Sequence, residues 1–286
     1  MKIEALSYGV LGSYVKGFSA YFPDVKENLQ KANLKYTLEE WISIAAFITL
    51  VTFVVETLTF SFVFGLMGMA PLIAILLSVT LSSSIGGALL FLFYTYPGAI
   101  AKSREVKINK ALPFAVSYMS SISSANVPLI FFFKTLSEFK EYGEICTDSE
   151  SIVRDVEALG MPIHSAIKKR AKTTPSKQFK ELLWGINNIY SSGGSVNMYL
   201  KGKGNELMAD YRRRIKKYSQ DLSLFVEVYL TLIIIGAIFF IVLSSIIASI
   251  SGGAETALIQ TFIVFILLPL LSAGFMILIK SISPLS

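Results

Sequence analysis

The chain has 286 residues, of which 53% are hydrophobic and only 16% charged, and its mean hydropathy is +0.60. Soluble domains carry about 25% charged residues, so this balance excludes an ordinary soluble domain. A formal net charge of +6 is explained by membrane topology, and nucleic acid is not expected as a partner. One cysteine, Cys146, excludes an internal disulfide. With a single histidine, His164, it also leaves too few ligands for a structural zinc site.

The N-terminal segment, 1–41, holds five of the 26 Lys and Arg residues. Leu6–Phe22 is interrupted by Lys16 and three glycines, so a cleaved signal peptide is not expected. Tyr14, Phe18, Tyr21 and Phe22 are expected to pack on the cytoplasmic domain, with an amphipathic segment on the membrane surface as the alternative. Thr37-Leu-Glu-Glu40 is a capping box that starts the first membrane helix.

Residues 42–98 are long enough for two membrane helices of about 20 apolar residues each. Residues 42–100 contain no Lys or Arg and one acid, Glu56. Gly65, Gly68 and Pro71 mark a turn, which places spans near 42–66 and 70–96. Trp41, Tyr94 and Tyr96 stand where interfacial aromatics belong. Residues 225–286 are expected to hold two further spans, near 225–249 and 257–279, the second carrying Pro269, which removes one helical hydrogen bond. Twenty Lys and Arg residues lie in 101–221 and none in the short loops. The positive-inside rule therefore puts both termini and the large domain in the cytoplasm.

Residues 99–224 read as helices throughout. Leu112, Val116, Met119 and Ile122 share one helical face. Leu129–Phe139 forms a second helix, ended by Gly143. Thr147-Asp-Ser-Glu150 is read as a capping box for a third helix with Ile152, Val153, Val156 and Leu159 on one face and Gly160 at its end. Pro162–Lys172 is a fourth. Thr174-Pro175 is read as a cap and first-turn proline for a fifth, broken by Gly193-Gly194. A sixth, from about Ser195 to Tyr218, is expected to continue into the third span. The fold class is thus all-α: a polytopic membrane protein of four transmembrane helices, with a six-helix cytoplasmic bundle between spans two and three.

No chemistry-bearing motif accompanies this plan. Gly202-Lys203-Gly204 lacks the spacing and the preceding strand of a phosphate loop. Neither a nucleophile elbow nor a metalloprotease or paired-cysteine motif occurs, and His164 lies on a polar face beside Ser165 and Lys168. The chain is expected to be no enzyme and to need no cofactor or metal. Two basic clusters are candidate partner-docking surfaces: Lys168, Lys169, Arg170 and Lys172, and Arg212, Arg213 and Arg214. For the second cluster the favoured reading is a solvated face of topology-setting charge attracted to anionic membrane lipids. Glu56 stands inside the first span, where a charge is costly unless paired or hydrated, and Glu227 lies a turn into the third. With Pro269 these residues leave open an alternative, a small transporter or channel using Glu56. Against it, no segment of the chain repeats.

Several motifs together resemble the type II secretion F-domain family, the platform proteins of secretion systems, type IV pili, tight-adherence pili and the archaellum. Tyr96-Pro97 is followed by the basic segment Lys102–Lys110 and by Leu112-Pro113-Phe-Ala-Val116. Ser123-Ser-Ala-Asn-Val-Pro-Leu129, Ala158-Leu159-Gly160, Thr173-Thr-Pro-Ser176 and Ser191-Ser-Gly-Gly194 complete the pattern. The chain is most similar to the archaeal branch, in a single-domain form where archaellum platform proteins hold two such domains. Asn126 stands where relatives have Gly, a substitution a turn tolerates. The resemblance implies a hexameric secretion-type ATPase and pilin-like subunits as partners, and pairing as a homodimer or with a second F-domain subunit.

Overall fold

The computed structural model describes residues 22–125, 127–251, 258 and 261–282. The expectations for Leu6–Tyr21, for Asn126 and for the loop after Ser251 fall outside these described residues. The rest divides into two compact units at Gly204/Asn205, and every element is helical.

The first unit opens with α1 (Pro23–Lys31). Proline at its first position needs no amide donor there, and Asp24 complements the helix dipole. Val25 and Leu29, one turn apart, bury against Trp41. Asn33, in the left-handed region at φ 56°, lets Leu34 donate back to the Leu29 carbonyl at 3.1 Å and ends the helix. Helix α2 (Leu38–Leu66) starts at the expected capping box. Thr37 Oγ1 accepts from Glu40 N at 3.2 Å, and Glu40 Oε2 accepts from Thr37 N at 2.8 Å.

After a turn through Gly68 (φ 77°), helix α3 runs from Pro71 to Ser123. At 53 residues it is about 80 Å long. The second apolar segment and the first helix of the domain, expected as two elements separated at Tyr96-Pro97, are therefore one. A proline inside a helix leaves the carbonyl four residues back without its donor. For Pro97 that carbonyl belongs to Phe93, and the Trp41 indole N–H donates to it at 3.2 Å. A donor from the neighbouring helix thus replaces the missing one, and α3 continues. Against α2 it presents Ala74, Ser78, Ser82 and Gly86, all buried and four apart. Small side chains at this spacing let apolar helices approach closely. A methyl group on Gly86 would already touch the Thr49 methyl at 3.5 Å.

The remainder of the unit packs around the far end of α3. Helices α4 (Leu129–Glu138), α5 (Glu144–Glu157), α6 (Ile163–Thr173) and α7 (Lys177–Ser191) surround it. Their core joins Ile108, Leu112, Val116 and Met119 of α3 to Phe133, Ile145, Ile167 and Leu183, all essentially inaccessible. The start of α8 (Val196–Val228) closes this core where Gly204 lies against Val116 and Ser117. Three local expectations are corrected. Helix α5 begins a turn earlier than Thr147, because Gly143 at φ 53° reverses the chain after the tight turn Lys140–Tyr142. Its buried face is Ile145, Cys146, Asp148, Ser149, Ile152 and Asp155, while Leu159 is exposed. Helix α7 is capped by Ser176, whose Oγ accepts from Phe179 N at 3.0 Å, so Pro175 precedes the cap instead of following it. Gly160 and Gly193 end their helices at positive φ as expected.

In the second unit α8 passes into a π-helical stretch, Tyr229–Ile235, and then α9 (Gly236–Ser251). A π-helical turn, Ile263–Leu267, precedes α10 (Leu268–Ile282). The Phe275 ring meets Phe225 and Tyr229 at 6.3 and 5.3 Å, and Tyr229 Oη lies 3.3 Å from Ser272 Oγ. Among the described residues three helical runs are long and apolar enough to cross a membrane: Leu38–Leu66, Pro71–Ser123 and Val196–Ile247. Val264–Ile277 is apolar but shorter.

Candidate functional site

The densest polar chemistry of the first unit lies where α3 leaves its apolar half. Arg104 of α3 is only 4% exposed. Its three nitrogens are each committed: Nε donates to Glu144 Oε2 at 2.7 Å, Nη2 to Asp148 Oδ1 at 2.7 Å, and Nη1 to the Lys31 carbonyl at the end of α1 at 2.5 Å. Asp148 is wholly buried, and the same Oδ1 accepts from Arg170 Nη2 of α6. One turn on from Ile152, Asp155 accepts from Lys169 Nζ at 2.7 Å. One buried carboxylate with two guanidinium groups therefore ties α3, α5 and α6 together, and Arg104 adds α1. Asp148 Oδ2 and Arg170 Nε make no hydrogen bond among the described residues. Removing one partner of such a group strands the others and costs about 3–5 kcal/mol.

This hub redistributes the first basic cluster. Lys168 and Lys172 are exposed, and Lys169 is exposed but paired with Asp155. Arg170 turns inward, because the α5 face packed on α6 carries Asp148. The second cluster is a solvent-facing one: Arg212, Arg213 and Arg214 are all exposed, with Arg213 paired to Asp210 a turn earlier. The sequence signal that points to the hub is the pair of acids at 144 and 148, four apart on the face that carries Ile145 and Ile152, with Arg104 on the α3 face of Ala101 and Ile108. As part of a capping box, Asp148 would stand at a helix end, where burial is not required.

The intramembrane candidates are dispersed. Glu56 is half-buried in α2, and its Oε2 is buried with no hydrogen-bond partner among the described residues. Glu227 and Pro269 are exposed, and Pro269 stands two residues after the π-helical turn, Ile263–Leu267. His164 is exposed as expected. Among the described residues no group of three or more His, Cys, Asp or Glu side chains is arranged to hold a metal. Cys146 is buried, with its thiol toward the Ser137 carbonyl at 3.2 Å and Glu150 Oε1 at 3.7 Å. Burial first, and the Glu150 charge second, push this thiol up from its ordinary range.

Comparison with known proteins gives this architecture a context. Residues 115–244 match the profile of the family described as "Type II secretion system (T2SS), protein F". Two proteins of Methanocaldococcus jannaschii are similar to the chain. One is the uncharacterized protein MJ1286, 25% identical over 162 residues, 57% of this chain and 27% of the relative. The other is flagella accessory protein J, 26% identical over 137 residues, 48% of this chain and 24% of the relative. The chain thus aligns with about a quarter of the length of each of these relatives. No solved structure matches.

Proposed function

We propose, from the premise that this chain carries a type II secretion system protein F domain of the archaeal branch, that it is the membrane platform of a filament-assembly or secretion machine. Such a platform is no enzyme. The finer reading is a type IV pilus-like, archaellum-like or type II secretion-like platform that couples a cytoplasmic secretion ATPase to the insertion of pilin subunits. The observation that carries it is the extent of the protein F match, which runs from the end of α3 through α4–α7 and on into the third apolar run. The likeness to a flagella accessory protein supports the same reading.

In this reading four apolar helices span the membrane, the fourth being the shorter one near the C-terminus, and a bundle of six helices forms the cytoplasmic domain. Both termini and that domain face the cytoplasm, since the basic residues lie there. Lys168, Lys169 and Lys172, with Arg212, Arg213 and Arg214, form the docking surfaces for an ATPase or for anionic lipid; Arg170 supports the first from beneath through Asp148. Work done on the domain reaches the membrane through α3 and α8, the two helices that belong to both. Pairing with a second copy or with another F-domain subunit belongs to the same reading.

The test is a pull-down of the detergent-solubilised protein against the membranes and cytosol of its own cell, read by mass spectrometry. A hexameric secretion ATPase or prepilins should be recovered, and lost when Lys168 and Lys172 are reversed to Glu. Recovery of neither by a folded oligomer would overturn the reading. It would favour Glu56-dependent flux, the transporter alternative that the unpartnered Glu56 oxygen supports.

A further inference from the structure

An apolar pocket of about 320 Å³ opens between α1, α2 and α3. Phe22, just before α1, and Val25 of α1 form one wall, Trp41, Ala45 and Ala46 of α2 the second, and Leu90, Phe91, Phe93 and Tyr94 of α3 the third. Val25, Trp41 and Ala45 are buried at its base. Leu90, Phe91 and Tyr94 are 47%, 65% and 45% exposed at its mouth. Phe22 meets the Tyr94 ring at 6.2 Å and closes one end.

Two features define what this space can take. First, it offers no unused polar group of Trp41: the indole N–H is already spent on the Phe93 carbonyl. An occupant is held by contact with hydrocarbon, not by hydrogen bonds. Second, the pocket lies among Trp41, Tyr94 and Tyr96, the aromatics that mark the membrane–water boundary. Its mouth is formed by the side of α3 that faces outward among apolar side chains. At that level the surrounding solvent is the outermost part of lipid chains, and an empty apolar cavity forgoes dispersion contacts along its whole lining.

We propose that this pocket holds the hydrocarbon chain of a membrane phospholipid, which fills the wedge between α1 and the first two spans and pins α1 to the membrane surface. The proposal rests on the membrane reading of α2 and α3 given above. It implies that a lipid seated here is distinguishable from lipids that merely coat the exposed helix faces.

The full chain is reconstituted in phosphatidylcholine nanodiscs doped with a phospholipid whose chain bears a diazirine near the glycerol. After irradiation, labelled residues are mapped by tandem mass spectrometry. Labelling at Ala46, Leu90 and Phe91 should exceed several-fold that at Leu50 and Leu92, which are 56% and 59% exposed at neighbouring positions but do not line this pocket. Ala46→Phe, which fills the space, should abolish the excess and leave Leu50 and Leu92 unchanged. Leu90→Ala, which widens the mouth without filling it, should retain labelling at Ala46 and Phe91. Equal labelling of pocket and control residues, or an excess that survives Ala46→Phe, would overturn the lipid site while leaving the platform reading intact. Absence of labelling at Leu50 and Leu92 as well would overturn the membrane reading and the site with it.

Discussion

Asp148 shows how one buried carboxylate organises several helices. It has no exposed surface and accepts from guanidinium groups of two different helices. Asp148→Ala should lower stability by about 3–5 kcal/mol, because Arg170 would stay buried without a counter-charge and Arg104 would keep only Glu144. Urea unfolding of the detergent-solubilised protein reads this directly, and a loss below about 1 kcal/mol would show that the two arginines find water instead. Cys146 gives a second test at this scale. A raised thiol pKa means less thiolate at neutral pH, so iodoacetamide should label native Cys146 slowly and denatured protein fast. The linkage has the matching sign. The folded state holds this proton more tightly, so the contribution is full below the unfolded thiol's pKa and is lost as pH rises through the folded value. A native labelling rate equal to that of the denatured chain would contradict the burial.

At the level of elements, α3 is the unexpected member. Two prolines inside it, Pro97 and Pro113, do not end it. At Pro97 the reason is visible: Trp41 of α2 supplies the donor that the proline lacks. Trp41→Phe keeps most of the ring packing on Phe93 and Tyr96 but leaves that carbonyl unsatisfied. It should destabilise the first unit by about 1–3 kcal/mol. Differential scanning fluorimetry would show the loss; an unchanged midpoint would mean that the freed carbonyl finds another donor. The other helix ends were readable beforehand where a glycine at positive φ or a hydroxyl cap marks them, as at Gly160, Gly193 and Thr37. Thr147-Asp-Ser-Glu150 fits a cap locally, yet α5 starts at Glu144. The backward turn at Gly143 is a tertiary choice that converts those residues into helix interior.

On the scale of the whole molecule, the platform reading makes α8 a mechanical link. The helix is unbroken from Val196 to Val228. Two glycines inserted after Ser219 should decouple its two ends at a cost of about 1 kcal/mol per glycine in local helix stability. Membrane insertion, followed by fractionation, should persist while filament assembly in cells fails. Normal filaments would sink the coupling.

The distribution of charge by itself determined the class of this protein. Two long stretches with no Lys or Arg and a single acid each, around a basic helical segment, are incompatible with a soluble fold, and hydrophobic periodicity with caps located most of the helices. Those signals are local, because the backbone must satisfy its own hydrogen bonds within each apolar helix. What only the tertiary structure decided is which polar residues turn inward. Arg170 reads as one of a run of surface cations beside Lys168 and Lys169, yet the α5 face opposite it carries Asp148. Pro97 reads as a helix end, yet a donor 56 residues earlier in the chain lets the helix continue. In both cases the deciding partner lies far away in sequence, and pairing across that distance exists only once the helices have packed.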